Sequence, residues 1–217
     1  MTLLSSEHAL LFAHAFGVTV SVTAVGLAIA VVLALPLALA LRSGRIALVW
    51  PARAWVELMR GAPLVVLLFL AYYGGPSFGV VLSATTAGVL GLGLYGAGYF
   101  AEIWRLGLDS VPKGEIEAAR LLGLSRDQTL VHVQIPRALR LVLPPATGQA
   151  INLLKESAVL SVVTVPELTK TAGEIANLTF SAVVPYLVAA LLYWVAVEAL
   201  ARAGRAAERR VAAVSRD

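Results

Sequence analysis

Residues 61–101 read GAPLVVLLFLAYYGGPSFGVVLSATTAGVLGLGLYGAGYFA, 41 residues without a Lys, Arg, Asp or Glu. A membrane-crossing helix needs about 20 predominantly apolar residues, so this stretch is long enough for two. The cluster Gly74-Gly75-Pro76-Ser77 is a turn signal and divides it. The upstream part is short, so its helix must begin earlier, near Trp50 to Trp55, with Glu57 and Arg60 close to the interface. Tryptophan there suits an interfacial anchor. The stretch therefore predicts spans over about 54–74 and 80–103.

Two further charge-free runs lie outside it, 34 residues from His8 to Leu41 and 23 from Ile175 to Val197. They predict spans over about 16–41 and 183–202. The N-terminal run carries Glu7 and no basic n-region and is too long for the apolar core of a signal peptide, so it reads as a retained span. A fourth, less clean span over 141–165 contains Pro144-Pro145 and the pair Lys155-Glu156. Five spans in one domain, residues 1–217, make an all-α integral membrane protein. Composition agrees: 59% of residues are hydrophobic and 14% charged, against about 25% charged in a soluble domain. The absence of cysteine excludes disulfides and thiolate metal sites. His8, His14 and His132 have no metal-like spacing.

The net charge of +4 matters less here than its placement. Arg42, Arg45, Arg53 and Arg60 lie beside spans one and two, and Arg105, Lys113, Arg120, Arg126, Arg137 and Arg140 lie between spans three and four. Arg202, Arg205, Arg209, Arg210 and Arg216 form a C-terminal tail suited to anionic headgroups rather than nucleic acid. With five spans these 15 of the 17 basic residues share one side, leaving only Lys155 and Lys170 elsewhere. The expectation is an N-terminus outside and a C-terminus in the cytoplasm.

The long loop, residues 105–140, has helix grammar. Glu115-Ile-Glu-Ala-Ala-Arg-Leu-Leu122 is made of good helix formers, and Gly123 with Leu124 fits a Schellman end. Ser125 and Gln128 have capping-box spacing for a second helix, which Ile135-Pro136 is expected to end. A helix pair on a tight glycine turn could dock into another protein, or it could be a solvated connector.

The residues Glu117-Ala118-Ala119-Arg120-Leu121-Leu122-Gly123 and Ile135-Pro136 resemble the EAA loop of permeases in ATP-binding-cassette importers. Arg60-Gly61-Ala62-Pro63-Leu64, Ala101-Glu102-Ile103-Trp104-Arg105, Ser110-Val111-Pro112-Lys113-Gly114, Leu153-Leu154-Lys155-Glu156-Ser157 and Val165-Pro166-Glu167-Leu168 are similar to segments of the polar amino acid branch of that family. The similarity runs over about residues 16–205. Departures include Ala62 for the usual Thr, Leu67 for a common Gln, Leu106 for Gly and Gly148 for Asn. They bear on substrate preference, not architecture. The resemblance implies a type I importer permease that couples to a separate ATPase through Glu117, Ala118, Ala119, Gly123, Ile135 and Pro136. It also implies a second permease subunit, two ATP-binding subunits, a periplasmic or surface solute-binding protein and an amino acid substrate. The membrane is then the bacterial inner membrane. This chain would bind no cofactor, ATP and magnesium belonging to the partner ATPase, and it would not itself be an enzyme. The sequence holds no G-x-x-x-x-G-K-[ST]. The alternatives are a related permease for D-methionine or an opine, or a secondary transporter, although no internal repeat points to the latter.

Charged residues inside a span are functional candidates. Lys155, Glu156 and Ser157 are therefore candidate substrate-pathway residues, with a structural ion pair as the alternative. Glu102 and Arg105, three apart, are expected to pair as a gate or as a plain interfacial bridge. Gly91-Leu-Gly93-Leu-Tyr-Gly96 fits a dinucleotide fingerprint by letter but lies within a span, so its glycines read as helix-packing positions.

Overall fold

The computed structural model describes residues 6–213, and Arg216 of the basic tail lies outside them. The described residues are helical and contain no strand. The first helix, α1 (Ser6–Arg42), is 37 residues long, about 55 Å at 1.5 Å per residue. Its buried positions include Ala15, Thr19, Val22, Gly26, Ala30, Ala34 and Ala38, a stripe of mostly small residues at helical spacing. Leu10, Leu11, Val25 and Val32 face outward. A helix apolar on every side, with its small residues turned inward, is built for lipid outside and close backbone approach inside.

The stripe meets α4 (Ala84–Asp109), which begins on a Ser83 cap that accepts the Thr86 amide at 3.1 Å. A Cβ on Gly93 would lie 2.8 Å from Ile29 Cβ and 3.2 Å from the Gly26 carbonyl oxygen, and one on Gly96 would lie 2.9 Å from Ala30 Cβ. The glycines between residues 88 and 98 thus serve helix packing. In lipid such packing, rather than transfer from water, supplies the association energy.

The second predicted span is broken. Helix α2 (Ile46–Gly61) stops at Ala62, which is extended (φ −101°, ψ 142°) because the Pro63 ring disfavours helix in the residue before it. Helix α3 (Leu64–Phe69) then leaves at 108° to α2 and continues through a π turn, Leu70–Gly74, and a 3-10 turn, Gly75–Phe78. The sequence signal at Gly74–Ser77 is absorbed into these turns, and the chain reverses at Gly79 (φ +77°). By length and composition, α1 and α9 (Val183–Ala213) can each cross a membrane, and the bent α2–α3 pair could form a third span.

The loop helices are α5 (Lys113–Leu121) and α6 (Arg126–Thr129). The expectation that Ile135-Pro136 ends the second one is corrected. After a π turn, Leu130–Gln134, the chain runs directly into α7 (Ile135–Glu156), with Pro136 in its first turn. The Ile135 amide donates five residues back, to the Leu130 carbonyl. The widened turn suits a proline, which has no N–H and crowds the carbonyl four residues earlier. Helix α7 stops at Glu156 and tightens into a 3-10 stretch, Ser157–Val163, closed by Thr164 at φ +65°. The 12-residue α8 (Leu168–Thr179), carrying Lys170 and Glu174, has no counterpart in the charge-free runs.

A main core gathers Val22, Leu68, Leu92, Leu153, Leu160 and Val163 from α1, α3, α4, α7 and the 3-10 stretch. A second joins Phe12, Leu168, Ile175 and Ala189 from α1, α8 and α9. A third, Leu108, Val111, Ala138 and Val142, seats the base of the loop.

Candidate functional site

The loop carries its geometry in local sequence. Helix α5 has Glu115 in its first turn and Arg120 in its last, the signs that favour the helix dipole. It closes as a complete Schellman motif: the Leu124 amide donates to Ala119 O at 3.1 Å and the Gly123 amide to Arg120 O at 3.0 Å, with Gly123 at φ +86°. The capping box is also formed. Gln128 N donates to Ser125 Oγ at 3.2 Å, and Ser125 N donates to Gln128 Oε1 at 2.9 Å.

The pair of helices has an inner and an outer face. Ala119 is buried, and Ile116 and Ile135 pack on the core formed by Leu108, Val111, Ala138 and Val142. Glu117, Ala118, Gly123 and Pro136 face outward. Leu121 and Leu122 are 89% and 81% exposed, two large apolar side chains held out on an ordered turn. Arg137 on α7 pairs with Glu115 at 3.0 Å and closes the loop at its root.

Glu102 and Arg105 form the predicted pair, with Nη2 donating to Oε1 at 2.6 Å and Nε to Oε2 at 3.0 Å. The pair belongs to a longer chain of charge. Arg105 also reaches Asp109 at 2.9 Å, Asp109 accepts from Arg42 at 2.8 Å, and Arg60 of α2 lies 3.9 Å from Glu102. These side chains line a cavity of about 920 Å³ between the loop and the ends of α1, α2 and α4. Arg53, Arg120 and Arg126 also face it. Sequence reasoning treated Arg42 only as a topological charge. Asp109, four residues after Arg105 on the same helix face, was the legible signal for a longer network.

Lys155, Glu156 and Ser157 occupy the far end of α7. Lys155 is exposed, Glu156 half-buried and Ser157 buried, its hydroxyl donating to Leu154 O at 2.7 Å. Among the described residues neither Lys155 nor Glu156 makes an ion pair, and no hydrogen bond or salt bridge joins them to Glu102 and Arg105. Consecutive helical residues point apart, so the two were not placed to pair with each other.

A buried group also escaped the sequence reading. Glu167 caps α8: Oε1 accepts the Lys170 amide at 2.7 Å, and Oε2 accepts the Thr169 amide at 2.8 Å and the Tyr193 hydroxyl of α9 at 2.7 Å. The Leu168 amide donates to Thr19 Oγ1 of α1 at 3.2 Å. Burial raises the Glu167 carboxyl above the usual carboxylate range, and the three donors oppose that shift. The group joins α1, α8 and α9 through one carboxylate and one hydroxyl. Among the described residues no cluster of three or more His, Cys, Asp or Glu could hold a metal ion.

Residues 26–213 match the family model described as binding-protein-dependent transport system inner membrane component. A probable amino-acid ABC transporter permease of Bacillus subtilis (strain 168), YckA, is 41% identical over 154 residues, covering 70% of this chain and 68% of the relative. The arginine transport system permease ArtQ of the same organism is 32% identical over 164 residues, 75% of each chain. A crystal structure of an amino acid ABC transporter with histidines superposes at a TM-score of 0.86 and 34% identity, covering 94% of this chain and 95% of that one. An inward-facing structure of the MetNI methionine ABC transporter, at 23% identity and a TM-score of 0.84, shares the fold.

Proposed function

The chain belongs to the family of binding-protein-dependent transport system inner membrane components, and from that membership we propose that it is the permease subunit of an ATP-driven amino acid importer. The observation that carries the reading is the α5–α6 turn, which holds Leu121 and Leu122 out on an ordered Schellman end in a chain similar to amino acid permeases. Ordered, exposed apolar side chains suit a protein partner. The partner in this reading is an ATPase subunit, which brings ATP and magnesium. Two such subunits, a second permease subunit and a solute-binding protein complete the transporter.

Five crossings, built from α1, the bent α2–α3 pair, α4, α7 and α9, put the loop and the C-terminus in the cytoplasm and the N-terminus outside. The positive-inside rule supports this assignment. ATP binding closes the ATPase dimer and displaces the docked residues around Glu117 to Gly123. The displacement rocks the two permease subunits between outward- and inward-open states, and hydrolysis resets them. Lys155 and Glu156, which make no ion pair among the described residues, stand available to a zwitterionic substrate near the outer end of α7, with the buried Ser157 beside them as a further pathway candidate.

The test is uptake of a panel of labelled amino acids into vesicles holding this chain with its ATPase and solute-binding protein. Uptake that requires ATP and favours one group of amino acids is expected. Equal uptake without ATP would overturn the reading.

A further inference from the structure

Arg42 closes α1 at the point where the loop both leaves and rejoins the bundle. Its Nε donates to Asp109 Oδ1 at 2.8 Å and its Nη2 to the Leu108 carbonyl at 3.3 Å, both in the last turn of α4, where the loop departs. Its Nη1 donates to Gln134 Oε1 at 3.4 Å, in the π turn through which the loop returns. One guanidinium thus holds both roots of the loop to the end of α1. The partners lie 67 and 92 residues away in sequence. Asp109 is held from its other side by Arg105, itself fixed to Glu102 by two hydrogen bonds.

The other contacts of α1 near the loop base are of a different kind. Leu35 and Leu39 pack against the core of Leu108, Val111, Ala138 and Val142. Apolar side chains lying side by side define distance but resist sliding weakly, because the contact is non-directional. The three bonds of Arg42 are directional, and their planar fork fixes both the axial position and the rotation of the end of α1 relative to the loop. We propose that Arg42 is a positioning residue that carries displacement of the α5–α6 loop into α1. The inference rests on the reading of that loop as the docking element.

Arg42→Lys separates this role from a plain electrostatic one. Lysine keeps the positive charge at the end of α1 and its favourable position for the helix dipole and the positive-inside bias. It cannot donate in a fork to three acceptors. The assay uses the full transporter, with ATPase and solute-binding protein, in vesicles. The ratio of amino acid imported to ATP hydrolysed is expected to fall roughly three- to tenfold in Arg42→Lys, the range for losing partly exposed charge-assisted bonds. Asp109→Asn should lower the ratio too, and the double variant should fall less than the product of the two single effects. Hydrogen exchange supplies a second readout. Addition of ATP should change protection in residues 113–124 and at the end of α1 in the parent protein, but only in the loop in Arg42→Lys.

An unchanged transport ratio in Arg42→Lys, with ATP-driven uptake intact in the parent, would overturn this inference and leave the proposed function standing. A fall in uptake and hydrolysis together, in proportion to the amount of assembled complex, would also overturn it, since it would mark Arg42 as a structural residue. ATP-independent uptake by the parent protein would remove both readings.

Discussion

Gly123 offers a graded perturbation whose size follows from one dihedral angle. At φ +86° it lies where residues with a Cβ are strained, and its two Schellman bonds hold it there. A Cβ built on it would meet nothing within 4 Å, so neighbouring atoms add no cost within this chain. Only backbone strain remains, about 1–2 kcal/mol for an L-residue in the left-handed region, less for asparagine and most for a β-branched residue. If the ATPase recognises the turn as folded, that strain appears in docking affinity. One kcal/mol is a factor of about 5 and two kcal/mol a factor of about 30. The expected affinities run Gly123, then Gly123→Asn, Gly123→Ala and Gly123→Val, the last weakened roughly 30-fold. Titration of the ATPase subunit onto each variant in lipid nanodiscs measures the series, and uptake should become uncoupled from hydrolysis in Gly123→Val while the protein stays in the membrane. Asparagine and valine are similar in size but differ in tolerance of positive φ. Equal losses for the two would show a steric clash in the docked state and refute the strain argument. A flat series would mean the loop does not dock by this turn.

Two predictions concern the scaffold. Gly93→Val places methyl groups where Ile29 and the Gly26 backbone already lie, and should destabilise the α1–α4 contact by about 1–3 kcal/mol. Its thermal midpoint in detergent should fall, while Gly148→Ala, inside α7 with open space around it, should not lower the midpoint and should raise it slightly, since alanine loses less backbone entropy in a helix. Glu167→Ala removes the α8 cap and leaves two amides and the Tyr193 hydroxyl without their acceptor. The expected cost is about 2–4 kcal/mol, and Tyr193→Phe should cost less because the amides keep their partner. Hydrogen exchange at the first turn of α8 distinguishes the two. Equal, small changes in both variants would show that the cap does not hold the helix.

The candidate site was unevenly legible before the structure. The Schellman end at Gly123 and the box at Ser125 and Gln128 formed as expected, since each needs only residues a few positions apart. Glu102 and Arg105 paired for the same reason. The break at Ala62 was readable from Pro63, but the charge-free residues from Gly61 to Gly74 are too few to cross a membrane, so the reading carried the helix back past Arg60 and Glu57 and through the break. Pro136 failed as a stop because a widened turn made room for it.

By itself, then, the sequence determined what is local: the long apolar runs and the caps and turns of the loop. Tertiary structure decided what is shared between distant segments. The small residues of α1 became an interface only when Gly93 and Gly96 of α4 came to face them. Glu167 became a junction only when α9 brought Tyr193 to it. Arg42, Asp109 and Gln134 became one network only when α1, α4 and the returning loop converged. The reason is physical. A cap or a turn depends on dihedral angles within about one helical turn, whereas a close helix crossing or a charge network depends on distances across the bundle that no single segment specifies.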